Sequence, residues 1–238
     1  MKKKLVFDIE TIGADFDKLD PKSQEDLTRY ANSAATSKAE YDKMAKEAKE
    51  TTALSPLTGE IVAIGVYDPD QNKGAVYYRA DKEKTEDIEE KGIKYVSMTE
   101  EEMLVKFWSL AEITDEFVSF YGRGMDVPFM MIRSAIHHIR PTKDLMSNRY
   151  NYSSSRGAIH YDLYDLLTFY GASRKKGSLH LWCKAFGIKS PKSTEFEGKK
   201  VTQYFKQGKY LEIAKYNALD LRATAELFSY WEKYLKFS

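Results

Sequence analysis

Three short carboxylate-bearing stretches stand in order along the chain. Asp8-Ile9-Glu10 ends the first hydrophobic run, Asp126 lies in Gly122-Arg123-Gly124-Met125-Asp126-Val127-Pro128, and Tyr216 and Asp220 are four residues apart in a long helical C-terminal segment. Acids so far apart in sequence act together only if the fold gathers them. Gathered around one point, four carboxylates repel one another strongly unless divalent cations lie between them. That donor set is the composition of a two-metal centre for phosphodiester cleavage.

Spacing alone carries little. Asp8 and Glu10 are two apart on a strand, so both point to one face, at its C-terminal end, where ligands bind in open α/β sheets. The same acid-x-acid spacing recurs at Asp15/Asp17, Asp68/Asp70 and Glu195/Glu197. The first pair differs in following an apolar central strand directly. Asp126 opens a helix, where aspartate ordinarily caps the end or offsets the dipole, and the glycines before it leave the backbone open to a ligand. Tyr216 and Asp220 share one helix face. Tyr161 and Asp165 have the same spacing. They lack the long flanking helix of Ala214 to Tyr234, whose buried stripe is expected at Ala223, Leu227, Trp231 and Tyr234.

The elements that must position these groups follow from periodicity and punctuation. Lys4–Glu10 reads as a central strand. Residues 11–53 are rich in Lys, Glu, Asp and Ala, and read as a helical insertion between the first two strands rather than a separate core. Glu60–Asp68 and Ala75–Arg79 read as a hairpin around the Asp68–Gly74 turn. Thr99 caps a helix carrying Met103, Phe107, Trp108 and Leu110 inward. Glu116–Tyr121 is a fourth strand, followed by a helix from Asp126 to Ile139 stopped before Pro141. Ile159–Leu163 is a fifth strand, and helices follow over 178–186, 200–207 and 210–236. Together these predict an α/β fold with a mixed sheet flanked by helices.

At 238 residues the chain is long enough for one large domain and a substantial core. A single cysteine, Cys183, excludes an internal disulfide and fits a reducing compartment. The apolar stretch after the N-terminal lysines is too short for a signal peptide, and no run reaches transmembrane length, so the expected location is cytoplasmic, with no membrane partner. Net charge is only +1, but it is unevenly spread. Asp81–Glu116 holds 12 acidic and 5 basic residues, whereas Gly171–Lys215 holds 11 basic and 3 acidic. A basic stretch just before Tyr216 and Asp220 suits a polyanion whose backbone is held while one phosphate reaches the acids. His137, His138, His160 and His180 lack zinc-site spacing, and Cys183 reads as core.

In conjunction, the three motifs resemble the DEDD superfamily of 3′–5′ exonucleases, in its tyrosine-containing branch. Val6-Phe7-Asp8-Ile9-Glu10-Thr11 is similar to its first motif, Phe120 to Pro128 to its second and Tyr216-Asn-Ala-Leu-Asp220 to its third. Within the superfamily the chain most resembles predicted exonucleases related to the proofreading domain of B-family DNA polymerases. Leu54–Val66 and Ser178–Ile188 add to that likeness, which covers about residues 3 to 236 apart from the insertion. In one departure, Tyr121 stands where the second motif often has Asn.

The resemblance implies a ribonuclease H-like fold and a single 3′–5′ exonuclease domain over 1–238, free-standing because no polymerase region follows. It implies two Mg²⁺ or Mn²⁺ ions held by Asp8, Glu10, Asp126 and Asp220, with Tyr216 orienting the attacking water. The product it implies is a nucleoside 5′-monophosphate cut from the 3′ end of single-stranded DNA. Ile9 and Thr11 are expected at the terminal nucleotide, and Tyr121 and Met125 against a base. Arg123, Arg174, Lys175 and Lys176 are expected at phosphates. RNA is the alternative substrate, and a non-catalytic nucleic-acid-binding module is the alternative of another class. The clustered acids argue against such a module.

Overall fold

The computed structural model describes residues 2–80, 87–150, 158–173, 177–191 and 200–237. Arg174, Lys175 and Lys176 lie outside them. A seven-stranded mixed sheet runs β4-β5-β3-β2-β1-β6-β7. Its strands are β1 (Lys4–Gly13), β2 (Gly59–Asp68), β3 (Lys73–Tyr78), β4 (Ile88–Glu90), β5 (Ile93–Ser97), β6 (Glu116–Ser119) and β7 (Ile159–Asp162). β1, β2 and β3 pair antiparallel, while β6 runs parallel to β1 and β7 parallel to β6. The expected mixed sheet with flanking helices is therefore present.

Two helices, α1 (Pro21–Ala34) and α2 (Lys38–Glu50), form the insertion. Each starts where a side chain takes up orphan N–H groups: Asp20 ahead of Pro21, and Ser37 ahead of Lys38. The insertion begins later than expected. β1 continues through Thr11 to Gly13, still paired with β2, after a register shift between Glu10 and Thr11. Helix α3 (Glu100–Glu112) opens on a reciprocal capping box between Thr99 and Glu102. Helix α4 (Asp126–Ile136) stops three residues short of the expected Ile139. The chain turns at His138, whose φ is 58°, well before Pro141 could act. The hairpin of β4 and β5 had no clear periodic signal. A short helix, α5 (Leu163–Leu167), follows β7, and α6 (Leu179–Phe186), α7 (Val201–Lys206) and the 25-residue α8 (Tyr210–Tyr234) complete the chain.

Alternation along β1 divides the core. Leu5, Phe7 and Ile9 pack with α3 and α4 through Leu104, Phe107, Phe129 and Met130. Val6 packs on the other face with α8, through Leu221, Leu227 and Phe228. Each large apolar side chain withdrawn from water contributes about 1.5–3 kcal/mol. Helix α8 buries Ala223, Leu227 and Trp231 as expected, but Tyr234 is exposed because the helix ends there. Asp8 and Glu10 share the α8 face with Val6 by the same alternation. The sheet thus carries two carboxylates beneath its longest helix.

Candidate active site

The register of β1 fixes the centre. Asp8 pairs with Gly65 and Glu10 with Ala63 on β2, and the irregularity follows at Glu10/Thr11. Such bulges re-aim side chains and are common beside active sites. Helix α8 crosses β1, β2 and β3. It brings Tyr216 and Asp220 onto the face from which Asp8 and Glu10 project. One oxygen each from Asp8, Glu10 and Asp220 lies within 4.8 Å of the others. Tyr216 is buried, and its hydroxyl is hydrogen-bonded to Asp220.

Asp126 arrives from the neighbouring strand. β6 is parallel to β1 with Val6 opposite Val118, so the turn after β6 passes level with Asp8. The turn leads into α4, whose first residue is Asp126. Its carboxylate is not the side-chain cap of that helix: Oδ1 accepts the Ile9 N–H of β1 at 3.0 Å. One hydrogen bond thus ties the second acidic stretch to the first.

The electrostatics are uncompensated. Burial, then Asp126, Asp220 and Glu10, raise the pKa of Asp8 well above the carboxylate range. Burial, then Asp220 and Asp126, do the same to Glu10. Asp126 is pushed up to about 7, mainly by burial, with the Asp162 charge adding to it and the Ile9 N–H opposing it. Burial and the charges of Asp220, Glu10 and Asp8 raise the Tyr216 phenol far above its ordinary value. Burial and like charge thus account for the raised pKa of both Asp8 and Glu10, and among the described residues no cationic side chain offsets them. Bound cations relieve that condition, and an all-carboxylate oxygen set fits hard divalent ions.

Beside the acids lies a cavity of about 360 Å³, lined by Asp8, Ile9, Phe120, Tyr121, Met125, Asp126, Tyr164, Gly177, Ser178 and Leu179. Two other cavities, of about 420 and 510 Å³, are larger and also carry acids, but among the described residues only Asp8, Glu10 and Asp220 converge closely enough to share a metal ion. Chemistry rather than size therefore singles out this one. Tyr121 sits at its mouth with φ 68°, an uncommon conformation for an aromatic residue. The Asp162 carboxylate holds it there, accepting the N–H groups of Tyr121 at 2.8 Å, Arg123 at 2.9 Å and Tyr164 at 3.0 Å. Its ring lies over Gly124, where a Cβ would come within 2.5 Å of it, and meets Tyr164 edge-on at 4.7 Å.

Of the expected site residues, the structure brings together Asp8, Glu10, Asp220 and Tyr216, with Asp126 coupled to Asp8 and Glu10. Ile9, Tyr121 and Met125 line the cavity. Thr11 follows the bulge, and its hydroxyl donates to the Ala53 carbonyl at 2.7 Å. Arg123 is a correction. Its guanidinium is buried and donates to the carbonyls of Met146, Ser147 and His160, so it braces the turn instead of reaching for a phosphate. The rival pair Tyr161 and Asp165 is spent elsewhere, with Tyr161 in the core and Asp165 in a two-point ion pair with Arg149. Sequence reasoning missed Tyr164 and Asp162. An aspartate that ends a short β-strand and caps the next helix was the available signal for Asp162. Tyr164 had none.

Comparison with known proteins gives a family and a fold. Residues 72–236 match the family described as predicted 3′–5′ exonucleases related to the exonuclease domain of PolB. The match contains Asp126, Tyr216 and Asp220, while Asp8 and Glu10 precede it. No curated protein matches. Among solved structures, the family B DNA polymerase from the hyperthermophilic archaeon Pyrobaculum calidifontis is similar, with a TM-score of 0.59 and 17% identity. The alignment covers 98% of this chain and 25% of the polymerase, so the chain spans about a quarter of that protein's length. The likeness is one of fold, and the fold is ribonuclease H-like. Among the described residues, no helix is long and apolar enough to cross a membrane.

Proposed function

We propose, from the premise that the chain belongs to the family of predicted 3′–5′ exonucleases related to the exonuclease domain of PolB, that it removes nucleoside 5′-monophosphates from the 3′ end of single-stranded DNA, acting as one exonuclease domain over residues 1–238. The observation that carries this reading is the meeting of Asp8, Glu10 and Asp220 within 4.8 Å beside a cavity that Asp126 also lines.

Asp8, Glu10, Asp126 and Asp220 would hold two divalent cations, for which Mg²⁺ or Mn²⁺ suits an oxygen-only donor set better than softer metals. Such ions supply hydroxide from water near neutral pH and take up charge at the reacting phosphate. The protein's own groups do the rest. The Tyr216 phenol stays protonated at neutral pH, since burial and three neighbouring acids oppose its ionisation. It therefore orients the attacking water by hydrogen bonding and does not act as a base. Water adds at the terminal phosphorus and the P–O3′ bond breaks. The departing O3′ takes up a proton, leaving a shortened strand and a 5′-monophosphate.

Tyr121, Tyr164 and Met125 form an aromatic and apolar wall against which the terminal base stacks, and stacking tolerates any base. Backbone groups around Ile9 and Thr11 hold the 3′ hydroxyl, and Lys175 and Lys176 hold upstream phosphates. The test is a labelled single strand with Mg²⁺ or Mn²⁺, comparing DNA with RNA and wild type with Asp8→Ala. Expected is stepwise shortening of DNA from the 3′ end, abolished by chelator and by the substitution. Undiminished activity in Asp8→Ala overturns the site, and faster shortening of RNA overturns the substrate.

A further inference from the structure

Between Tyr216 and Asp220 lies a residue to which the three acidic motifs give no role. Asn217 is fully buried on α8, and its Nδ2 donates to Asp8 Oδ2 at 2.8 Å. Its other amide atom, Oδ1, is buried without a hydrogen-bond partner. A buried orphan acceptor costs about 1–3 kcal/mol. An apolar side chain of the same size would avoid that cost, so the amide does not serve stability. Its one polar contact is with Asp8.

Room for that contact comes from the opposite strand. Gly65 pairs with Asp8 in the β1–β2 ladder. A Cβ there would fall 1.9 Å from Asn217 Oδ1 and 2.7 Å from Leu221 Cδ1. The missing side chain lets α8 settle on the sheet with the Asn217 amide inserted beside the carboxylate. All the charged groups acting on Asp8 are acids that repel it. Asn217 is a neutral donor facing them.

We propose that Asn217 is a positioning residue: it holds Oδ2 of Asp8 and so sets the rotation of that carboxylate, leaving the other oxygen for the cluster with Glu10 and Asp220. Gly65 is the clearance this requires. The proposal rests on the exonuclease reading for its consequence, but the contact itself is independent of activity. Groups that orient metal ligands typically change metal affinity or activity by about 10–100-fold when removed.

The test compares wild type, Asn217→Leu, Gly65→Ala and Asp8→Ala. Mn²⁺ binding is read by electron paramagnetic resonance, kcat and KM on a single-stranded DNA, and melting by circular dichroism. Asn217→Leu is expected to melt at or above wild type, to bind Mn²⁺ about 10–100-fold more weakly, and to lose kcat by a similar factor at unchanged KM, since Asn217 touches no substrate. Gly65→Ala should reproduce the metal and kcat defects by displacing the amide. In metal-free protein the Asn217 side-chain amide protons should exchange slowly in wild type and rapidly in Asp8→Ala. That NMR reading needs neither metal nor catalysis, and it decides the matter if Asn217→Leu does not fold. Wild-type Mn²⁺ affinity and kcat in folded Asn217→Leu, or rapid exchange in wild type, overturns the proposal. A wild-type protein that binds no Mn²⁺ and cuts no nucleic acid overturns the exonuclease reading instead.

Discussion

Glu10 and Glu100 are both glutamates with almost no exposure, at 8% and 7%, yet their surroundings treat them oppositely. Burial raises the pKa of Glu100, but donors outweigh it and hold the carboxyl below its ordinary value. Arg133 Nε donates at 2.8 Å and its NH2 at 2.5 Å, the Ile61 N–H at 2.7 Å, and His137 Nε2 lies at 2.8 Å. Glu10 meets burial and then the charges of Asp220 and Asp126, all pushing upward. Glu100 is a charge neutralised inside the fold, where it joins β2, α3 and α4. Glu10 belongs to a charge left for something outside the fold to neutralise. A buried carboxylate therefore does not mark a site; the sign of its neighbours does.

Exchanging the two regions' roles by mutation gives the largest contrast. Asp8→Asn should cut exonuclease activity by on the order of 10³-fold or more, since it removes a group acting in concert with the other acids. It should at the same time raise the melting temperature of metal-free protein, because one repelling charge is gone. A melt that falls with the activity would erase the distinction. Glu100→Ala should do the reverse. It strands Arg133 and His137 without their carboxylate and costs about 3–5 kcal/mol in denaturant unfolding, while the folded fraction keeps its activity.

The pH dependence of metal-free stability should separate the regions next. The folded pKa of Asp126 lies at about 7, above its unfolded value near 4. Its contribution is therefore full below pH 4 and is lost as pH rises towards 7, so Asp126→Asn should gain a few kcal/mol over wild type at pH 8 and nothing at pH 3. His160 works the other way. Burial, with Arg123 nearby, lowers it to about 3, and its ring nitrogens meet Ser119 Oγ at 2.7 Å and the Leu145 carbonyl at 2.9 Å. Its contribution is present above about pH 6.5 and is lost as pH falls towards 3. Acid titration of Asp126→Asn with and without His160→Gln, followed by fluorescence, should differ by this opposite slope. The smallest effect is from metal itself. Mg²⁺ at about 100 times its Kd should stabilise wild type and Arg133→Lys equally, by about 2.7 kcal/mol, and Asp8→Asn far less. Thermal shift with and without chelator reads that difference.

Much of the frame was legible because it is local. The apolar run ending at Asp8, the Thr99–Glu102 capping box and the turn after Asp68 each depend on neighbours within a few residues. The rest was not. Ile88–Glu90 and Ile93–Ser97 are short and partly charged, and become strands because β5 can pair with β3. Arg123, bracketed by glycines, looked available to a phosphate. Carbonyls 23 to 37 residues further along take its guanidinium. Tyr164 and Asn217 matter only through register and helix placement, which no local spacing encodes.

The sequence by itself determined the chemical types and their local geometry. Asp8 and Glu10 share a face because a strand repeats every two residues, and Tyr216 and Asp220 share one because a helix repeats every 3.6. Tertiary structure alone decided which acids meet, which are neutralised and how Asp8 is held. Burial and Coulomb interactions depend on distances between chain segments that lie more than a hundred residues apart, and only packing sets those distances.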